Sequence, residues 1–197
     1  MTGRLNRLIL EWMDPIPRHQ CLVYSGSPNL HLRPVSLVIR EMLKQNRRCI
    51  YLNSQPMVAG MRSYLAAAGL DVEEEVRASR LILSSERPHL VDDRFEIDGM
   101  LRSLQSELDR ALLEGYAGLW ATGDMTWEMG LDQDVTKLVK YERSLDEFLR
   151  AHPQMGGVCQ YHAETLPKEL VDQGLRLHPA IFINETLSIL NAQFVSA

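Results

Sequence analysis

Cys21-Leu22-Val23-Tyr24-Ser25 is a continuous apolar run that ends in the turn Gly26-Ser27-Pro28-Asn29. The stripe Val35, Val38, Ile39, Met42 and Leu43 then follows at helical spacing, with Arg40, Glu41 and Lys44 on the opposite side. An uninterrupted apolar run bounded by glycine or polar residues fits a strand covered on both faces, as in a parallel sheet. A stripe of period 3.6 is an amphipathic helix lying on such a sheet. The unit is strand, tight turn, helix.

Outward from this unit the pattern repeats. Further short apolar runs occupy Cys49–Asn53, Leu81–Ser84, Gly118–Thr122, Gly157–Tyr161 and Ala180–Ile183. A second helical stripe joins Met100, Leu101, Leu104, Leu108, Ala111 and Leu112, and Gly115 stands where a helix C′ residue belongs. A third runs from about Asp132 to Ala151. Strand–helix alternation predicts an α/β fold of three layers, with a mostly parallel central sheet, helices on both faces and right-handed crossovers. Near the end, two apolar runs flank Asn184-Glu185, which predicts a C-terminal β-hairpin. Residues 1–18 are expected to form an amphipathic helix or extension, residues 19–197 a single domain, and Glu86–Glu96 a long loop, either a solvated connection or the shelter of a pocket.

The 197 residues are 45% hydrophobic and 24% charged, a globular composition. The net charge of −5 argues against direct binding of nucleic acid, which needs a basic surface. No stretch approaches the ~18 to 20 apolar residues of a membrane span. Three cysteines without C-x-x-C spacing fit buried, reduced thiols in a cytoplasmic protein. The six histidines lack H-x-x-x-H or H-x-H spacing, and there is no G-x-S-x-G elbow or G-x-G-x-x-G. No catalytic, cofactor or metal site is therefore expected.

Ligands of open α/β sheets bind at the carboxyl ends of the strands. The polar residues there are Tyr24, Ser25 and Gly26, then Asn53 and Gln55, then Thr122, Asp124 and Trp127, with Gln160, Tyr161 and His162 closing the fifth run. The Ser25–Asn29 turn has the shape of a phosphate loop, but no Gly-Lys pair occurs anywhere and none of the four lysines lies near it. Asp124 fits either a helix cap or a ligand group. Trp127 fits either packing or a pocket wall. Glu142 shares the stripe of Val135, Leu138, Leu145 and Leu149. A carboxylate on a core-facing stripe must be paired, hydrogen-bonded or protonated, because burying a bare charge costs several kcal/mol. Glu142 is therefore a candidate ligand-binding group, or else it reaches the stripe's edge or pairs with an arginine.

Several of these stretches together resemble one family. They are His19-Gln20-Cys21-Leu22-Val23-Tyr24, Arg48-Cys49-Ile50-Tyr51-Leu52, Glu114-Gly115-Tyr116-Ala117-Gly118-Leu119, Thr122-Gly123-Asp124-Met125-Thr126-Trp127, Tyr141-Glu142 and Val158-Cys159-Gln160-Tyr161. The chain is similar, over about His19 to Leu190, to the MEDS family, the sensory domain named after methanogens, methylotrophs and the regulator DcmR. The resemblance implies a degenerate RecA/KaiC-like fold, with Ser25–Leu32 in the place of the phosphate loop and Gln55 about where a catalytic glutamate would stand. It implies a non-enzymatic sensory domain that binds a small-molecule ligand. Family members are often joined to DNA-binding or kinase modules, and neither is expected here. The output would then run through a separate histidine kinase or transcription regulator, or through a homo-oligomer. Two other readings stay open: an interaction module without a ligand, and a weak ATP-binding protein.

Overall fold

The computed structural model describes residues 18–92, 94–129, 134–184 and 187–195. The helix expected over 1–18 lies outside them, save for Arg18. Nine strands are described: β1 (His19–Tyr24), β2 (Arg47–Leu52), β3 (Leu81–Ser84), β4 (Leu90–Val91), β5 (Arg94–Phe95), β6 (Gly118–Asp124), β7 (Met155–His162), β8 (Ala180–Asn184) and β9 (Leu187–Leu190). The helices are α1 (Leu32–Lys44), α2 (Gln55–Ala67), α3 (Val72–Arg77), α4 (Ile97–Leu113), α5 (Met125–Glu128), α6 (Val135–Ala151) and α7 (Lys168–Leu177).

The main sheet has the order β3-β2-β6-β7-β1-β8-β9. Its first six strands are parallel and β9 runs antiparallel to β8. All six apolar runs of the sequence are strands of this sheet. Each face carries its own hydrophobic cluster. One packs Leu22, Tyr51, Trp120 and Val158 against α1 and α2. The other packs Cys21, Ile50, Leu119 and Cys159 against α4, α6 and α7. Side chains alternate across the sheet with period two, so odd and even positions of each strand enter different cores. That alternation decides which candidate residues can meet.

Local boundaries follow their chemistry. Gly115 adopts φ 86 just beyond α4, the left-handed C′ position expected of it. Asp134 caps α6 by accepting the Thr136 amide at 2.8 Å. Two expectations change. The hairpin forms, but the register slips between Phe182 and Asn184, so Asn184 pairs with Leu187 as the last rung of the ladder instead of forming the turn. The extra residue is a β-bulge. Segment 86–96 is not a plain solvated loop: β4 and β5 form an antiparallel ribbon. Two aromatic anchors hold it down, with Phe95 fully buried edge-on to Tyr141 at 4.9 Å and His89 buried at its base.

Candidate functional site

The carboxyl ends of β1, β2, β6 and β7 form one rim, and on its α1–α2 side the polar groups bind one another. Tyr24 Oη donates to Asp124 Oδ2 at 3.0 Å, while Asp124 Oδ1 accepts the Trp127 amide at 3.1 Å and caps α5. The Tyr24 ring sits between the His31 and His162 rings, at 5.2 and 4.9 Å. His31 donates from Nδ1 to the Pro28 carbonyl at 2.8 Å, so its Nε2 is left to accept from Tyr51 Oη at 2.7 Å. Burial lowers the His31 pKa, consistent with a neutral ring. Asn53 donates to Tyr51 Oη at 3.1 Å. Beneath the rim, Gln160 donates to Thr122 Oγ1, which donates to the Val158 carbonyl, both at 2.7 Å. Ser25 and Gly26 are exposed in the turn. Gly26 holds φ 86, and its amide donates to Glu164 Oε1 at 2.9 Å. In a phosphate loop such an amide faces an anionic ligand; here a carboxylate of the chain takes it. Gln55 is exposed and accepts from Ser85 Oγ at 2.6 Å.

Glu142 and Tyr161 lie on the other face, apart from this rim. Glu142 is 0% exposed, as its stripe position predicts. Its partners are two histidines, a tyrosine and a thiol, with no arginine among them. Tyr161 Oη donates to Oε1, and Gly174 on α7 makes room for the ring, since a Cβ there would strike it. Oε2 faces His19 Nε2 at 3.1 Å, His178 Nε2 at 3.4 Å and Cys159 Sγ at 3.7 Å. His19 Nδ1 faces Asp146 Oδ1 at 3.4 Å. Burial acts to raise the Glu142 pKa, but the two histidines and the Tyr161 hydroxyl outweigh it and hold the carboxyl down to about 2. Burial, then the neighbouring His19, push His178 down to about 4, so that ring is neutral at pH 7. Burial also opposes charge on His19, yet Asp146 and Glu142 leave its pKa raised.

Glu128 completes this face. The turn of α5 brings its side chain back over Gly123, where the carboxyl fills the space a Cβ would need. It is 4% exposed, bonded by the Tyr141 hydroxyl, and its Oε2 has no partner among the described residues. Burial first, then the charges of Glu142 and Asp124, raise its pKa to about 8. The carboxyl is protonated at neutral pH. Beside it is a cavity of about 40 Å3 between β6–β7 and α4–α6, walled by Met100, Leu104, Tyr141, Leu145 and Met155, with His19 and Cys159 also on its surface. His89 Nε2 donates to the Glu128 carbonyl at 3.1 Å, so the β4–β5 ribbon covers this end. Trp127 is half-buried and edge-on to His89 at 5.7 Å.

The structure thus joins Tyr24, Asn53, Thr122, Asp124 and Gln160 on one face, leaves Ser25, Gly26 and Gln55 at the surface, and sets Glu142 and Tyr161 behind the sheet. His19, Glu128, Cys159 and His178 carry no local spacing signal. The two histidines meet through strand pairing: His19 opens β1 and His178 precedes β8, and these strands are parallel neighbours, so their starts lie side by side.

Among solved structures, the fold is similar to a KaiC-like protein from the hyperthermophilic archaeon Pyrococcus horikoshii OT3. The TM-score is 0.55 at 9% identity, covering 84% of this chain and 70% of that one. It is also similar to the RadB recombinase, with a TM-score of 0.51 at 15% identity, covering 84% and 73%. At these identities the likeness establishes the fold: α/β, of the RecA/KaiC type. No curated protein matches the sequence. The family model of the methanogen/methylotroph, DcmR sensory domain matches residues 18–179. The chain belongs to the MEDS family of sensory domains.

Proposed function

We propose that this domain is a non-enzymatic sensor that holds a small uncharged molecule in the cavity between β6–β7 and α4–α6 and acts through a separate regulatory partner, a histidine kinase or transcription regulator. The observation that carries the reading is Glu128: a buried carboxyl, its neutral form favoured by that burial, with one oxygen unpartnered beside an apolar cavity. An unpaired buried polar atom costs ~1–3 kcal/mol, and a ligand hydroxyl, carbonyl or amide relieves that cost. The cavity has room for roughly three water-sized atoms at ~10–15 Å3 each, and the unbranched side chains of Met100 and Met155 let its wall adapt. This cavity departs from the expected rim: it borders Gly123 and Glu128 at the carboxyl end of β6 but also His19 and Met155 at the amino ends of β1 and β7, on the face turned from Tyr24 and Ser25. Occupancy reaches the surface through the Glu128–His89 bond and the β4–β5 ribbon, whose Val91 is exposed. Membership in a sensory family supports the assignment. The absence of a Gly-Lys pair, with the Gly26 amide given to Glu164, weighs against a triphosphate ligand.

A thermal-shift screen of short alcohols, ketones and amides, with magnesium–ATP alongside, tests this. A bound compound at about 100 times its dissociation constant adds ~2.7 kcal/mol. The expected result is stabilisation by an uncharged compound that Glu128→Leu abolishes. Stabilisation by magnesium–ATP alone would favour the nucleotide reading, and none by any compound the interaction module.

A further inference from the structure

We infer that His19, Glu142, Cys159 and His178 bind a single divalent transition-metal ion of the zinc class. Their ligand atoms all lie within 4.8 Å of one another, and all four residues are buried. The edges from Glu142 Oε2 measure 3.1 Å to His19 Nε2, 3.4 Å to His178 Nε2 and 3.7 Å to Cys159 Sγ; Cys159 Sγ lies 3.9 Å from His19 Nε2. A tetrahedral ion with nitrogen and oxygen at ~2.0–2.2 Å and sulfur at ~2.3 Å has edges of roughly 3.3–3.6 Å. The four measured edges come within about 0.3 Å of that range, and the two from His178 to His19 and to Cys159 are no longer than 4.8 Å.

The orientation of His178 supplies an independent argument. Its Nδ1 donates to the Gly174 carbonyl at 2.7 Å, so that nitrogen carries the hydrogen and Nε2 presents a lone pair. This Nε2 is buried and has no hydrogen-bond partner among the described residues. It faces Glu142 Oε2, another acceptor, and two lone pairs at 3.4 Å call for a cation between them. The outer contacts are those of a metal centre. A carbonyl holds the far nitrogen of one imidazole, Asp146 faces the far nitrogen of the other, and Tyr161 occupies Glu142 Oε1 while leaving Oε2 for the ion.

Two imidazoles, a carboxylate and a thiolate suit zinc or a similar ion and not magnesium or calcium, which take oxygen ligands. Four protein donors close the coordination shell, as in structural sites. Uptake displaces the Cys159 thiol proton, and any proton on His19 Nε2, to solvent. A surface groove of about 240 Å3 lined by Arg143, Asp146, Arg150 and Phe194 ends at Asp146, the residue that faces His19. This inference does not rest on the ligand proposed for the neighbouring cavity.

Cobalt(II) is the probe. The full chain is unfolded with chelator, desalted and refolded with the metal. About one equivalent should bind, with the intense visible bands of tetrahedral cobalt and a thiolate-to-cobalt charge-transfer band in the near ultraviolet. Cys159→Ser should remove the charge-transfer band, and His178→Gln should weaken binding at least about tenfold. A wild-type chain that regains its circular dichroism yet binds no cobalt overturns the inference, as does a charge-transfer band that survives Cys159→Ser. Should either variant fail to fold, the wild-type spectrum and stoichiometry decide alone.

Discussion

Glu128 lies across Gly123, its carboxyl filling the space where a side chain at position 123 would stand. The four-residue helix that leaves β6 thus sends an acid back over the strand it follows, into the core and away from the rim. Gly123→Ala should displace that carboxyl and cost about 1–3 kcal/mol. Adding Glu128→Ala should recover part of the loss, with a coupling of at least ~0.5 kcal/mol. Urea denaturation of the two single variants and the double variant measures it; additive losses would mean the two residues do not compete for space.

The same carboxyl shapes the pH dependence of stability. Its pKa rises from 4.5 to about 8 on folding, with Asp124 of β6 and Tyr141 and Glu142 of α6 facing it. Between those values the folded chain holds a proton that the unfolded chain has released. Stability therefore falls as pH rises through that window, by at most roughly 1.4 kcal/mol per unit. In the metal-free chain His178 acts oppositely: its pKa drops from 6.5 to about 4, so its contribution is present above 6.5 and lost as pH falls through 4. Glu128→Gln should remove the alkaline loss and keep the acid one. Denaturation midpoints from pH 5 to 9 should show the variant gaining on the wild type up to about pH 8 and then holding level.

At the rim, Tyr24 and Asp124 should behave as one unit. Tyr24→Phe should cost ~0.5–1.5 kcal/mol through the lost hydrogen bond. Asp124→Ala should cost more, since the α5 cap goes too, typically ~0.5–2 kcal/mol by itself. A double-mutant cycle should then show the Tyr24 effect vanish in the Asp124→Ala background. Independent effects would contradict the 3.0 Å contact.

The Gly26 turn offers a test of nucleotide binding. Glu164→Ala frees the Gly26 amide from its carboxylate, but supplies no cation for a phosphate. Magnesium–ATP should leave the melting temperature of both wild type and variant unchanged. A rise in the variant would mean that the acid alone keeps nucleotide out.

The sheet was legible because parallel strands buried on both faces are unbroken apolar runs, as at Cys21–Tyr24 and Cys49–Leu52. Glu142 was legible because a carboxylate on a leucine stripe contradicts its surroundings. Its partners were not. His19 and His178 meet through the pairing of β1 with β8, and sequence spacing carries no record of which strands become neighbours. The split of the candidate residues follows from alternation: Gln160 and Tyr161 are adjacent in the chain yet point into opposite cores. Glu128 was hidden by the shortness of α5, too brief for a stripe to show which way it faces.

The most direct test uses Met100 and Met155, whose side chains wall the cavity beside Glu128. Their carbon-13 methyl resonances, followed while a short alcohol or amide from the thermal screen is added, report on the occupant itself. Saturable shifts in both methyls, lost in Glu128→Leu, are the predicted result. Shifts confined to residues around Tyr24 and Asp124, with the two methionines unmoved, would contradict the assignment.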